Sequence, residues 1–270
     1  IMKTRQKMKV LMMILLPVIV SNVISAELPS GDSIAQNINA RDEGIAVSRN
    51  LTMQMTDRHG KERVRETRAF RKYFGDEKRT AIFYLKPKNI KDTAFLTYDY
   101  ADKERDDDQW LYLPAMRKVR RISASDRGDY FLGTDLSYED IKLETRVSLK
   151  DYTRKTIGED VVDGVHCYVV EETPINNDIA EELGHSRRES CVDDTIWMTR
   201  RSKFWDLQNK PLKTTHFKNI SEVQGIWTVH TINVENHKTG HHTVFTFSDV
   251  NYNDGVKDNV FTQNALKRGL

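Results

Sequence analysis

Two cysteines, Cys167 and Cys191, are the only thiols in the chain. They do not form a Cys-x-x-Cys pair, so a dithiol redox motif is absent. Also missing are a Gly-x-Ser-x-Gly elbow, an HExxH pair and a phosphate-cradling glycine loop, which removes the common sequence signals of hydrolase, metalloprotease and nucleotide chemistry. Long apolar runs are scarce. The one candidate, Val10 to Val20, follows Lys3, Arg5, Lys7 and Lys9, ends near Ser25-Ala26, and is too short for a comfortable membrane span. This layout predicts a secretory signal peptide over residues 1–26, cleaved after Ala26, and export to the periplasm. No cysteine lies near that point, so a lipid anchor is not expected.

An excess of charge of one sign is lacking as well. Without residues 1–26 the chain holds 38 Lys+Arg against 40 Asp+Glu, a net charge of −2. Near-neutrality argues against nucleic acid as a partner, because such binding relies on surplus Lys and Arg to neutralise phosphates. No Pro/Gly/Ser linker, repeat or low-complexity tract divides the sequence, and residues 27–270 read as one domain. In an oxidising compartment Cys167 and Cys191 can pair, closing a loop worth about 3 kcal/mol in the chain-entropy model. Two free buried thiols are the alternative.

The rest of the sequence is a succession of short strands. Pro29 to Ala40 reads as a helix with Ser30, Asp32 or Ser33 at its cap and Ile34 and Ile38 at helical spacing. From Gly44 the period changes to two: Ile45, Val47, Leu51, Met53 and Met55 share one parity. After the turn Asp57-Arg58-His59-Gly60, the next strand sets Val64, Phe70 and Phe74 on one face and Arg63, Arg65 and Arg71 on the other. Further strands are expected at Thr80–Leu85, Ala94–Tyr100, Val165–Glu172, Thr195–Thr199, Lys203–Asp206, Leu212–Phe217, Ile226–Val234 and Thr243–Val250. Arg146–Leu149 and Tyr152–Ile157 are weaker candidates, and Ile175 to Ser190 is polar with room for a short helix. Ten to twelve strands with polar turns predict a mainly β fold, an antiparallel sheet or barrel.

Chemistry-bearing clusters are few. His237 and His241 flank a hairpin turn, Lys238-Thr239-Gly240, and with His242 have no cysteine or carboxylate at zinc spacing nearby, so they read as solvated turn residues. Asp106-Asp107-Asp108 and Asp193-Asp194 lack the alternation and glycine of a calcium loop and read as solvated turns. No metal, cofactor or catalytic residue is expected.

The most informative stretch is WLYLPAMRKVRRISASDRGDYFLGTDLSYEDI, Trp110 to Ile141. Here a strand stopped by Pro114 precedes a basic run, Arg117, Lys118, Arg120 and Arg121, and a turn-rich loop carrying Tyr130, Phe131 and Leu132. Such a loop either packs on its own core or meets a lipid or a partner. A sheet this long must curl, and if it does not close, its concave face is a greasy trough that needs a cover. The N-terminal helix and the 175–190 insertion are the available covers. An acyl chain suits such a trough, at about 0.8 kcal/mol per buried CH2, with no catalytic group required. Candidate lining residues are Val47, Leu51, Met53, Phe70, Phe83, Leu111, Leu113 and Trp227, with Phe131 and Leu132 at the rim. Arg117, Lys118, Arg120 and Arg121 are candidates for contact with a partner or with headgroups.

WLYLPAMRKVRRI followed by GDYFLGTDLSYEDI resembles the outer-membrane lipoprotein-sorting protein family within the LolA/LolB-like superfamily. The helix-then-meander opening, DGVHCYVVE from Asp163 to Glu171, and the closing VFTQNAL from Val260 to Leu266 are similar to it too. The resemblance covers essentially all of residues 27–270. It implies an incomplete, strongly curved antiparallel β-barrel with helices over its open side. The implied activity is carriage of a lipid or lipoprotein acyl group through the periplasm with transient membrane contact. Some relatives are associated with RND-type inner-membrane exporters, which makes an accessory or adaptor role by protein contact the alternative. The family carries over no defined site residue.

Overall fold

Period-two alternation from Ala46 onward builds thirteen antiparallel strands, one more than the upper expectation. The computed structural model describes residues 27–102 and 104–270, so the expected signal segment lies outside the described residues. A helix, α1 (Gly31–Asn39), opens the chain, with the Ser30 hydroxyl accepting from the Ser33 N–H at its N-terminus. A first meander follows: β1 (Ala46–Thr56), β2 (Glu62–Phe74), β3 (Glu77–Lys86), β4 (Ala94–Asp99), β5 (Asp108–Leu113) and β6 (Lys118–Ile122). The second meander is β7 (Tyr152–Val162), β8 (Val165–Pro174), β9 (Arg187–Asp193), β10 (Thr199–Trp205), β11 (Pro211–Val223), β12 (Ile226–Asn236) and β13 (His242–Asn251). Three short helices complete the chain: α2 (Tyr138–Leu143), α3 (Asn177–Leu183) and α4 (Gln263–Arg268).

The two meanders join because the first strand pairs with the last, Met53 opposite Phe245 and Leu51 opposite Phe247. The strand order runs β6-β5-β4-β3-β2-β1-β13-β12-β11-β10-β9-β8-β7 in one sheet. It is an open, curved barrel whose edges are β6 and β7. These edges are consecutive in sequence, so residues 123–151 must cross the open side to connect them. The helices foreseen as covers flank this crossing. Ile34, Ala35 and Ile38 of α1 pack with Val147, Val170 and Val192, while α3 sits against the crossing itself. There Gly128 lies so close to α3 that a Cβ on it would stand 2.4 Å from the Glu182 carbonyl oxygen.

The crossing segment is held by apolar burial and by buried charge. Phe131, Leu136, Tyr138 and Ile141 pack with Tyr84, Phe95, Leu111 and Ile122 on the inner face of the first meander. Phe131 is fully buried, its ring edge-to-face with Phe95 at 5.0 Å and Tyr138 at 5.4 Å. It therefore sits in the core rather than at a rim, while Leu132 is half-buried beside it with its carbonyl accepting from Arg65. Arg127 binds Asp151 with both terminal nitrogens, at 3.0 and 3.1 Å, and Glu182 at 3.1 Å. Lys142 meets Glu139 at 3.0 Å and also Asp107. A capping box between Ser137 and Asp140 starts α2.

The outer face has its own cover. Ala81, Phe83, Ala94 and Leu96 pack with Val256, Phe261, Ala265 and Leu266 of the C-terminal tail, and Phe70 and Phe74 join them. The parity of β2 is thus the reverse of the sequence expectation, because its aromatic side looks outward onto the tail and Ala69 and Arg71 look inward. Phe70 and Phe83 consequently lie on the face opposite the concavity.

Other local differences have local causes. Of the expected strand Thr195–Thr199, all but Thr199, which begins β10, forms the turn after β9, closed by Asp193, which accepts from the N–H groups of Thr195 and Ile196 and pairs with Arg200 at 2.5 Å. Arg146–Leu149 belongs to the crossing segment, not to a strand. Cys167 on β8 and Cys191 on β9 have Cα atoms 5.4 Å apart and are joined as a disulfide.

Truncating Phe131 leaves a void between two aromatic rings and loosens the crossing. Phe131→Ala should therefore cost about 3–5 kcal/mol in urea unfolding, against less than about 1 kcal/mol for Tyr130→Ala on the exposed side of the same loop. Equal losses would show that the loop is not a core element.

Candidate binding cavity

Between the crossing segment and the inner face of the sheet lies a cavity of about 110 Å³. Its wall is assembled from both meanders: Leu51 of β1, Ala69 of β2 and Ile82 of β3 on one side, Val229 and Ile232 of β12 and Phe245 of β13 on the other. Leu136 and Ile141 of the crossing segment and Met198 before β10 close over them. Strands β1, β2, β11 and β13 each contribute one parity, whereas β12 contributes Trp227, Thr228, Val229 and Ile232 from both. Trp227, 39% exposed, stands at the mouth with Thr228 and Tyr252, whose hydroxyls are 2.8 Å apart. An engineered apolar cavity of roughly 150 Å³ takes a benzene ring, so a longer chain must continue past Trp227 or displace part of the crossing segment.

One end of the cavity is charged. Arg49 reaches inward from β1 and Arg71 from β2, and they meet Glu43 and Glu144. Arg49 Nη2 is 2.6 Å from Glu144 Oε1, and the Arg49 guanidinium lies 4.7 Å from the Phe247 ring centre. Arg71 is 3.7 Å from Glu43 and 3.8 Å from Glu144, and also donates to the Glu43 carbonyl. Glu43 accepts from the Tyr73 hydroxyl at 2.5 Å and from Thr145 Oγ1 at 2.8 Å.

Glu144 is held at φ 57°, ψ −105°, a backbone conformation that a residue with a Cβ adopts only when its surroundings impose it. Burial alone would raise the Glu43 carboxyl, but Arg71, Lys78, the Tyr73 hydroxyl and Arg41 hold it down to about 2. Glu144 is lowered against its burial by Arg49, Arg71 and Lys78. Arg71 is raised, since Glu43 and Glu144 outweigh its desolvation.

The residues Leu143 to Val147, together with Glu43, separate this cavity from a second, polar cleft bordered by Arg41, Asp99, Tyr100 and Lys150. The chain between α2 and β7 is therefore a thin wall with the apolar cavity on one side and a polar cleft on the other.

Of the sequence candidates, Leu51 and Trp227 line the cavity. Met53, Leu111 and Phe131 are buried in the same inner core, with Leu113 and Leu132 packed partly against it. Val47 is fully buried at the start of β1. Arg117, Lys118, Arg120 and Arg121 are exposed on or beside the edge strand β6, with Arg121 2.5 Å from Asp108 and Arg120 3.9 Å from Asp126. Sequence reading did not select Glu43, Arg49, Arg71 or Glu144. The one signal pointing to them was the arginine parity of β2, assigned there to the wrong face. His241 is not a solvated turn residue: its Nδ1 lies 2.5 Å from Asp135 of the crossing segment, and Thr243 and Asn236 bind the same carboxylate.

Solved structures of LolA-superfamily proteins share this fold. One such protein, from Nitrosomonas europaea, superposes with a TM-score of 0.65 at 20% identity over 88% of this chain and 99% of that one. A putative outer membrane lipoprotein-sorting protein domain from Vibrio parahaemolyticus gives 0.79 at 28% identity, covering 88% and 98%. A DUF1329 family protein from Desulfovibrio piger gives 0.79 at 30% identity, covering 87% and 97%. A family model described as an uncharacterized protein matches residues 76–268. No curated protein matches the sequence. The chain belongs to the DUF1329 family and shares the fold of the lipoprotein-sorting proteins that its sequence resembles.

Because the folded Glu43 carboxyl titrates below its ordinary 4.5, its stabilisation is complete above that value and is lost as the pH falls toward about 2. In urea unfolding, Glu43→Gln should be less stable than wild type by about 3 kcal/mol at pH 7, and the gap should shrink steadily below pH 4.5. A gap independent of pH would assign the loss to packing.

Proposed function

We propose that this protein is a periplasmic carrier that shelters an acyl chain of a lipid or lipoprotein on the concave face of its open barrel, without catalysis. The observation that carries this reading is the cavity formed by Leu51, Ile82, Met198, Val229, Ile232 and Phe245, with Trp227 at its mouth. Apolar walls give non-directional affinity that grows with each buried methylene, which suits cargo differing in chain length. The similarity to the putative outer membrane lipoprotein-sorting protein domain of Vibrio parahaemolyticus supports the same reading. None of the described helices is long and apolar enough to cross a membrane. Delivery then requires transient membrane contact, for which the β6 edge, with exposed Met116 beside Arg117 and Lys118, is a suitable face.

Protein purified from its own periplasm should carry lipid visible by native mass spectrometry and take up a fluorescent fatty acid. Val229→Phe, which fills the cavity from its wall, should weaken uptake by about tenfold or more while leaving the fold intact by circular dichroism. No co-purifying lipid and no uptake by the wild-type protein would end the carrier reading.

The second reading is an accessory or adaptor protein of an RND-type inner-membrane exporter, favoured by the exposed basic edge strand alone. An unpaired strand edge can add a partner's strand, and its charges select the partner. Reversing Arg117 and Arg120 to Glu should abolish co-purification with such an exporter and leave fatty-acid uptake unchanged. Unaltered co-purification would exclude this edge as the contact.

A further inference from the structure

The charged end of the cavity holds more positive charge than its own carboxylates answer. Arg49, Arg71 and Arg146 line it against Glu43 and Glu144, and Arg41, 3.5 Å from Glu43, adds a fourth guanidinium from behind. Lys78 also bears on both carboxylates but has its own counter-ion, Asp99, at 3.4 Å. Farther along the wall, Asp140 is matched by Lys213 at 2.5 Å and Arg188 by Glu172 at 2.6 Å, so the surplus is confined to this end.

The surplus is also visible atom by atom. Arg71 is only 3% exposed, yet its Nε and Nη1 have no hydrogen-bond partner among the described residues, and neither has Nε of Arg49. A buried guanidinium N–H without an acceptor is costly, and on Arg71 the carboxylate oxygens that these two nitrogens face, of Glu43 and Glu144, stand 3.7 and 3.8 Å away, beyond hydrogen-bond reach. The acceptor that best suits these N–H donors is an oxyanion, because the guanidinium fork matches carboxylate and phosphate oxygens in pairs. From the same point the wall turns apolar, through Leu51 and Ile82 toward Ile232 and Phe245.

Building on the carrier reading, we propose that the ligand is an anionic amphiphile whose carboxylate or phosphate seats on Arg71 and Arg49 while its alkyl chain lies along Leu51, Ile82, Ile232 and Phe245. Glu144 is then the internal counter-ion. Its carboxylate holds Arg49 at 2.6 Å and, on a backbone fixed in an unfavourable conformation, yields that place to the headgroup. The wall segment that carries Glu144 also borders the polar cleft, so the headgroup end is the end nearer to water.

The test compares three ligands of one chain length that differ only in the head: dodecanoate, dodecyl phosphate and dodecanol, each titrated below its aggregation concentration and read by native mass spectrometry. Wild-type protein should bind at least one of the two anions about tenfold or more tightly than dodecanol. Whichever anion binds tighter identifies a carboxylate or a phosphate cargo. Arg49→Gln should remove most of that preference by weakening the anions far more than dodecanol, whereas Arg49→Lys should retain part of it. Arg71→Met should act in the same direction, and Arg49 keeps the test decisive if that more buried variant does not fold. Equal binding of all three ligands would overturn the headgroup assignment and leave the carrier reading intact. Binding of none of them would overturn both.

Discussion

The pairing of β1 with β13 is the constraint on which the rest of this protein depends. By joining the first strand to the last it leaves β6 and β7, neighbours in sequence, as the two edges of an open sheet. The connection between them has to traverse the gap. A segment forced into that place faces the concave side of the sheet along its whole length, and its residues must suit what they meet. Phe131, Leu136, Tyr138 and Ile141 meet apolar strands, and Arg127 and Lys142 meet carboxylates. The cover of the barrel follows from topology, and its sequence is a response to that position.

The same constraint concentrates charge. Where the crossing leaves α2, at Leu143 to Val147, it brings Glu144 to Arg49 and Arg71 and packs beside Glu43. Buried ion pairs of this type rarely add net stability over apolar packing, and their retention points to a use beyond holding the fold. On the proposed reading, the apolar half of the cavity would supply affinity in proportion to area, and the guanidiniums direction, fixing which end of a ligand enters and where it stops.

Much of the fold was legible in the sequence because strand alternation and turn chemistry are local. Gly44, Asp57-Arg58-His59-Gly60 and Asp163-Gly164 mark turns in any context, and the basic run before Ile122 reads as exposed and is so. What could not be read is which face of a two-sided strand looks inward. In β2 both parities are chemically plausible interiors, since Phe70 and Phe74 find the C-terminal tail and Arg71 finds Glu43 and Glu144. Those partners are 28 to 187 residues away in the chain, so no window on β2 could have decided between them. His241 was misread for the same reason, as it looks like a solvated turn until Asp135 arrives from elsewhere; Asp193 differs, because the turn folds back on it and brings Arg200, seven residues on, to its carboxylate. Leu51 was legible because on β1 one parity alone, Val47, Leu51, Met53 and Met55, is apolar enough to choose.

The crossing segment is tethered to the sheet at both ends, which makes it a built-in competitor for the surface it covers. Any ligand that reaches the inner core beneath Phe131 must exclude side chains whose effective concentration is fixed by two short anchors and cannot be diluted. For a carrier of the proposed type, affinity would therefore be capped by the stability of the segment's own docking, and a departing ligand would be replaced by the chain itself without waiting for a second molecule. A protein arranged in this way can release a water-insoluble cargo without ever exposing a bare apolar face.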